Sequence, residues 1–186
     1  MANTSDISVG SVIRHNGGLC IIIEYLHRTP GKGGAFYQVK LRNLKTGKLA
    51  EARFRSGESV DLARVEYKEL QYIFKEGANL VLMDSSTYEQ VYVPEEMFGE
   101  TAKFLKEEMI VKVAFENDEP ILAEPPTFVE LEITYTEPGV KGDTATNTLK
   151  PATLETGATV NVPLFVNQGE KIKVDTRTSS YVERVK

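Results

Sequence analysis

The sequence has little of the material from which covalent or metal-based sites are built: its 186 residues include one cysteine and two histidines. Cys20 has no second thiol as a partner, so an internal disulfide is excluded, and its place in the apolar run 19–23 favours a buried side chain over a reactive thiol. With only His15 and His27 as imidazoles, a structural zinc site is not expected. The spacing shows neither a Ser-His-Asp set nor a Walker A loop. We therefore expect a protein that is not an enzyme and that has no metal and no cofactor.

Long hydrophobic runs are also absent. Hydrophobic residues make up 41% of the chain, and no stretch approaches the ~20 apolar residues that a membrane span needs. The opening segment, MANTSDISVG, lacks the cationic start and the apolar core of a secretory signal. These observations predict a soluble protein in the reducing cytoplasm, without a membrane partner.

What the sequence does contain is a regular series of short segments rich in Val, Ile, Tyr, Phe and Thr, separated by turn residues. One stretch, Pro94–Glu108, favours a helix with an apolar stripe. We predict a mainly β protein of small barrels in series. The predicted strands are residues 11–14, 19–27, 35–43, 51–55, 65–75, 80–84, 88–93, 109–115, 119–123, 128–136, 159–163 and 171–175.

Charge and turn residues together predict three domains, 1–63, 64–126 and 127–186. Polar turn residues around 56–64 mark the first boundary, and the stiff segment Glu124-Pro125-Pro126-Thr127 marks the second. The three segments carry net charges of +4, −8 and −1. A basic segment beside an acidic one suits a protein whose first domain meets phosphate; a solvated acidic domain beside an ordinary one is the alternative.

The most informative segment is a glycine-rich loop between two long strand predictions. Pro30 fixes its own φ, and Gly31, Gly33 and Gly34 leave the Lys32 side chain at the apex without bulky neighbours. Considered alone, Lys32 is a solvated turn residue. Further cations behind the tip favour a basic arm suited to phosphate, although some of them could instead protect a sheet edge. These contact candidates are Arg28, Lys40, Arg42, Arg53 and Arg55.

A second unusual loop lies in the third domain. Its glycines stand beside Asp143 and Thr144, in the segment Pro138-Gly-Val-Lys-Gly-Asp-Thr-Ala. Such a polar loop could hydrogen-bond the edges of bases, and a plain β-turn is the simpler alternative.

Several long motifs resemble the bacterial elongation factor P family. The segment from Lys150 to Gly169 has the form Lys-x-Ala, a Gly five residues on, Val-x-Val-Pro and a closing Gly. The similarity runs through nearly the whole chain. It is also carried by Pro30-Gly-Lys-Gly-Gly-Ala-Phe, Phe128-Val-Glu-Leu-Glu-Ile, the 138–145 loop, Val174-Asp-Thr-Arg and Tyr181-Val-x-Arg-Val-Lys.

This resemblance implies an SH3-like domain of the KOW type followed by two OB-folds, in an L shape that mimics tRNA. It implies a monomer that binds ribosomal RNA and proteins between the P and E sites and assists peptide-bond formation at consecutive prolines. Lys32 would reach the peptidyl-transferase centre beside the P-site tRNA. The loop Gly142, Asp143 and Thr144 would approach the mRNA codon in the E site.

The resemblance further implies covalent modification of Lys32 by a dedicated enzyme, of the β-lysylation type. Position 34 is Gly where the best-known lysylated members carry Gln, so modified and unmodified Lys32 remain alternatives. Three rival functions stay open at this stage. They are a modified-lysine factor of the related two-domain eukaryotic and archaeal type, an elongation factor P-like paralogue with another ribosomal task, and a generic OB-fold protein that binds single-stranded RNA.

Overall fold

A computed structural model describes residues 1–139 and 148–186. The prediction of a mainly β fold is confirmed, with sixteen strands among the described residues. The strands are β1 (Ala2–Asn3), β2 (Val12–His15), β3 (Gly18–Arg28), β4 (Phe36–Asn43), β5 (Leu49–Arg55), β6 (Ser59–Val60), β7 (Glu66–Glu76), β8 (Asn79–Met83), β9 (Gln90–Pro94), β10 (Ile110–Glu116), β11 (Glu119–Glu124), β12 (Phe128–Thr136), β13 (Leu149–Leu154), β14 (Thr159–Pro163), β15 (Lys171–Asp175) and β16 (Ser180–Arg184).

The contacts divide the chain into two compact units. The first comprises residues 1–67 and 114–122, and the second comprises residues 68–113 and 123–186. This division does not test the predicted boundaries at 63/64 and 126/127, which remain a prediction.

The first unit is built on an antiparallel sheet in the order β2-β3-β4-β5, beside the short pair β1-β6. Alternate residues of β3 and β4 face inward, and Ile22, Val39 and Leu41 are almost completely buried there. Cys20 belongs to the same cluster and is 5% exposed. The prediction that Cys20 is buried is confirmed, and burial raises the pKa of its thiol, which disfavours the reactive thiolate.

The C-terminal barrel, strands β12–β16, has the strand order β14-β13-β12-β15-β16. Its core is aliphatic, and Leu131, Ile133 and Ile172 are fully buried. Phe104 joins this core with none of its side chain exposed, although it comes from a segment that precedes β10. A further antiparallel sheet has the order β11-β10-β7-β8-β9.

The predicted helix over 94–108 is wrong in length and type. The segment is 3₁₀-helical over Glu95–Phe104, and Gly99, with φ 57° and ψ −138°, interrupts it. An apolar stripe at helical spacing could not reveal this interruption, because the stripe records which side is buried rather than the hydrogen-bonding pattern. Within the described residues, none of the helices reaches the length and apolar character that crossing a bilayer requires.

Four strands were missing from the prediction: β1, β6, β13 and β16. Pro151 lies in the middle of β13, where proline argues against a strand. The structure accommodates it next to the last residue pair with β12, Thr136↔Ala152. There the Pro151 carbonyl accepts a 2.9 Å hydrogen bond from Thr136 Oγ1.

Candidate functional site: a basic hairpin arm

The predicted hairpin forms, and we call β3, β4 and the loop between them the arm. Strand pairing continues to Arg28↔Phe36, which leaves the seven residues 29–35 as the loop. Lys32 stands at the centre of this loop, and residues 29–34 are all exposed. The arm therefore presents one long cationic side chain at its apex.

The glycines beside Lys32 have different physical roles. Gly33 has a φ of +111°, which an L side chain rarely adopts, whereas no positive φ is found at Gly31 or Gly34. A Cβ added at any of the three would meet no heavy atom of the described residues within 4 Å. Backbone conformation therefore requires glycine at position 33, and local packing requires it at none of the three.

All five predicted contact cations share one face of the sheet. In antiparallel pairs, residues directly opposite each other point to the same side. Arg28 pairs with Phe36, which pairs with Arg55. The same side continues through the β4–β5 pairs Gln38↔Arg53, Lys40↔Glu51 and Arg42↔Leu49. We call this side the cationic face.

The cations on this face are not equivalent. The Lys40 ammonium lies 3.2 Å from the Glu24 carboxylate, so its charge is partly compensated. Within residues 1–139 and 148–186, the arginines of the face form no ion pair with a carboxylate: Arg28, Arg42, Arg53 and Arg55. The guanidinium carbon of Arg53 lies 3.5 Å from the centroid of the Phe36 ring, so the two groups form a cation–π contact.

A surface cavity of about 790 Å³ opens on the cationic face beside the loop. It begins at Gly34 and Ala35, and its walls are formed by Phe36, Arg53, Arg55, Ser56 and Glu58. The backbone around it is fixed, because Ser56 N–H donates to the Ala35 carbonyl at 3.0 Å and Arg55 N–H donates to the Glu58 carboxylate at 2.7 Å. Two guanidinium groups beside an aromatic ring suit a phosphate and a stacked base.

The opposite face of the arm carries aromatic side chains that the sequence did not single out. Tyr25, His27 and Tyr37 lie on this side, and both Tyr25 and His27 stack on Tyr37. Alternation along the predicted strand places Tyr25 and His27 together, but only the register brings Tyr37 opposite them.

The predicted E-site codon loop, Gly142, Asp143 and Thr144, lies outside the described residues. The residues that lead into and out of this segment are held by specific contacts. Lys150 is 7% exposed, and its Nζ donates a 2.6 Å hydrogen bond to the Glu137 carbonyl. A Cβ at Gly139 would come within 2.5 Å of the Leu164 carbonyl oxygen, so this position requires glycine for space.

Charged side chains outside the cationic face also form contacts, and these contacts are of the kind that stabilises a fold. In the described part of the chain, His, Cys, Asp and Glu side chains form no group of three or more that could hold a metal ion. Hydrogen bonds lower the pKa of Glu155, chiefly one from the Glu132 N–H and then one from Lys106.

Three family models match successive parts of the chain. Residues 3–60 match the KOW-like domain of elongation factor P, residues 65–123 match its OB domain, and residues 129–184 match its C-terminal part. Among curated relatives, elongation factor P of Chloroherpeton thalassium is 50% identical over 187 residues and covers 100% of both chains. Elongation factor P of Mycobacterium leprae is 49% identical over 185 residues, which cover 100% of this chain and 99% of the relative.

The chain belongs to the elongation factor P family. It is therefore a translation factor and not a classical enzyme, and the predicted KOW-like and OB domains are confirmed. Among solved structures, the protein described as eukaryotic translation initiation factor 5A from Methanococcus jannaschii shares the fold, with a TM-score of 0.52 and 21% identity. The match covers 67% of this chain and 90% of that one, so a third of the present chain has no counterpart in that comparison.

Proposed function

We propose that this protein binds the ribosome between the P and E sites and stimulates peptide-bond formation at consecutive prolines. Family membership provides the translational role. The observation that supports the finer proposal is the arm together with the cationic face: Lys32 is exposed at the apex of a glycine loop. Behind it, four arginines on that face form no ion pair with a carboxylate of the described residues. The basic face suits the acceptor arm of the P-site tRNA and neighbouring rRNA, because both are polyanions.

The proposed mechanism is positional. Proline restricts backbone geometry, so a prolyl-tRNA reacts poorly as donor and as acceptor. A factor that holds the 3′ end of the P-site tRNA and the nascent chain in a reactive pose lowers the entropic part of the barrier. The ribosome performs the transfer, and Lys32 donates hydrogen bonds to the tRNA without becoming part of the reaction.

Lys32 is also the proposed site of modification. Its exposed ammonium is accessible to a modifying enzyme, and β-lysylation would lengthen the side chain and add donors. The exposure of Lys32 is compatible with a modified and with an unmodified side chain, and the intact mass of native protein decides between them. An unmodified mass would remove β-lysylation and its enzyme from the proposal.

The remaining parts of the proposal concern the rest of the chain. The loop Gly142, Asp143 and Thr144 would contact the mRNA codon in the E site, and the protein would act as a cytoplasmic monomer. The division into domains 1–63, 64–126 and 127–186 completes the proposal.

Asp143→Ala should reduce activity on ribosomes without unfolding the protein, as measured by translation assays and circular dichroism. Loss of the folded signal would indicate a purely structural loop.

The test is in vitro translation of a Pro-Pro-Pro reporter with and without the protein. We expect the protein to relieve stalling and Lys32→Ala to remove most of this effect. Lys45→Ala is the matched control, because Lys45 is an equally exposed lysine in the turn at the other end of β4. Unrelieved stalling with both modified and unmodified protein would refute the proposal. Tight binding to free RNA that does not depend on Lys32 would favour the generic RNA-binding alternative.

A further inference from the structure

Three aromatic rings form a continuous stack on the face of the arm opposite the cations. The ring centroids of Tyr25 and Tyr37 are 5.1 Å apart with an interplanar angle of 18°, and those of His27 and Tyr37 are 4.6 Å apart with an angle of 21°. Tyr37 is therefore the central ring. We call Tyr25, Tyr37 and His27 the ring column.

Tyr25, the ring farthest from the loop, fixes its end of the ring column to the core of the first unit. The Tyr25 hydroxyl donates a 2.9 Å hydrogen bond to the carbonyl of Thr4, a residue that is completely buried. The Thr4 hydroxyl in turn accepts a 2.8 Å hydrogen bond from Gly57 N–H, beyond the end of β5. Burial, followed by the interaction with Tyr37, raises the pKa of Tyr25 above its ordinary value.

His27, at the other end of the ring column, lies next to the loop. His27 is exposed and immediately precedes Arg28, the last paired residue of β3. On the cationic face, the Arg53 guanidinium stacks on Phe36, the residue paired with Arg28. The last two residue pairs before the loop, His27↔Tyr37 and Arg28↔Phe36, are thus held by stacking on opposite faces.

We propose that Tyr25, Tyr37 and His27 are positioning residues. They hold the end of the arm at a fixed place relative to the rest of the first unit. Lys32 then reaches its target without a large loss of conformational freedom. The role rests on the proposed function, because it assumes that the tip acts on a bound tRNA. A tip that samples many orientations is in the competent orientation for only a fraction of the time, and the effect of the bound factor falls to that fraction of its full value.

Binding strength and the effectiveness of the bound factor then depend on different side chains. The cationic face should determine how tightly the factor binds, because it supplies the charge. The ring column should determine how effective the bound factor is, because it supplies order at the tip. Loss of a ring should therefore lower the maximal rate at saturating factor and leave the half-saturating concentration nearly unchanged.

The test uses full-length protein with Tyr37→Val, which removes the central ring but keeps a strand-forming residue. We expect the maximal rate of Pro-Pro-Pro synthesis to fall by roughly 3- to 10-fold, the range expected from the loss of one or two ring contacts. The half-saturating concentration should change less than about twofold. Tyr37→Phe keeps the ring and should restore the rate. Tyr92→Val, which removes an exposed tyrosine from strand β9 of the second unit, should behave like the wild type.

A second measurement does not depend on translation. Backbone amide order parameters from ¹⁵N relaxation should fall at His27, Arg28 and Phe36 in Tyr37→Val and remain unchanged at Leu41. His27→Thr, at the exposed end of the ring column, provides the same test if Tyr37→Val does not fold. Unchanged order parameters and an unchanged maximal rate would overturn the inference, as would an equal loss in Tyr37→Phe. If the wild-type protein does not relieve stalling, the proposed function fails, and the order parameters alone then decide whether the ring column orders the tip.

Discussion

The arginines of the C-terminal barrel form ion pairs with carboxylates, whereas the arginines of the arm form none within the described residues. In the barrel, Lys173 lies 2.9 Å from Glu183 and Arg177 lies 2.8 Å from Asp175, with one oppositely charged partner for each cation. In the arm, Arg28 and Arg42 have no carboxylate partner among the described residues. Compensated cations contribute little to the field outside the protein, whereas uncompensated ones attract an anionic partner. The difference indicates that the charge of the arm is directed toward a partner.

Two phenylalanines also differ in their packing. The barrel core encloses Phe104 completely, while Phe36 in the arm is only half-buried and lies beneath a guanidinium group. Phe104 thus contributes to the stability of a closed core, whereas Phe36 remains partly at the surface.

The largest expected effect tests this contrast in stability. Phe104→Ala should lower the free energy of unfolding by about 3–5 kcal/mol, because it leaves a cavity in a closed core. Phe36→Ala should cost only about 1 kcal/mol. Urea unfolding measures both values. Equal losses would mean that Phe36 is a core residue and that the contrast between the two regions is wrong.

The next effect concerns binding. Arg28→Ala with Arg42→Ala should weaken ribosome binding about 10-fold or more at low salt and reduce the slope of log K against log salt by about 2. The matched double variant Lys173→Ala with Arg177→Ala removes the same charge from paired positions and should change the slope little. Titration of labelled factor with ribosomes at several salt concentrations provides the measurement. Identical slopes for the two double variants would show that ion pairing does not distinguish the two regions.

A smaller effect is expected from the glycine that has a positive φ. Gly33→Ala should disfavour the present loop conformation by about 1–2 kcal/mol and reduce Pro-Pro-Pro synthesis by up to ~10-fold. Gly34→Ala is the control, because an added Cβ meets no described atom within 4 Å there and no positive φ is found. If the rates of the two variants fall equally, backbone conformation at Gly33 is not the cause.

The smallest effect is a pH dependence in the second unit. Contacts with Glu132 N–H and Lys106 lower the pKa of Glu155 in the folded protein. Its contribution to stability is therefore present above the ordinary carboxyl pKa and is lost as the pH falls through the lowered value. Glu155→Gln should cost at most about 1 kcal/mol at pH 7, and this difference should shrink in acid. Unfolding curves at several pH values test the sign, and a difference that grows in acid would contradict it.

Much of the fold could be predicted because strands alternate visibly. The predicted strands 128–136, 159–163 and 171–175 agree with β12, β14 and β15 to the residue. The two-residue strands β1 and β6 are too short to produce a pattern. Strand β13 was missed because it contains Pro151, and whether a strand tolerates a proline depends on where the neighbouring strand ends. The 3₁₀ segment escaped prediction because Gly99 adopts a conformation that spacing does not encode.

The candidate site was predictable in composition but not in arrangement. Lys32 and the five cations could be named from the sequence, and the register then placed all five on one face. The ring column could not be predicted, since the stacking of His27 on Tyr37 depends on pairing across the loop and on a bulge between Ile22 and Glu24. A bulge shifts every later residue of the strand to the other face of the sheet. The sequence pattern of one strand does not reveal where a bulge lies.

The most direct test of the account is the place that the tip of the arm reaches on a stalled ribosome. A photo-crosslinking amino acid at position 32 should form a crosslink to the 3′ end of the P-site tRNA on ribosomes paused at Pro-Pro-Pro, and the same group at position 45 should not. A crosslink confined to position 32 is the predicted result. The absence of any tRNA crosslink from position 32, or equal crosslinks from both positions, would contradict it.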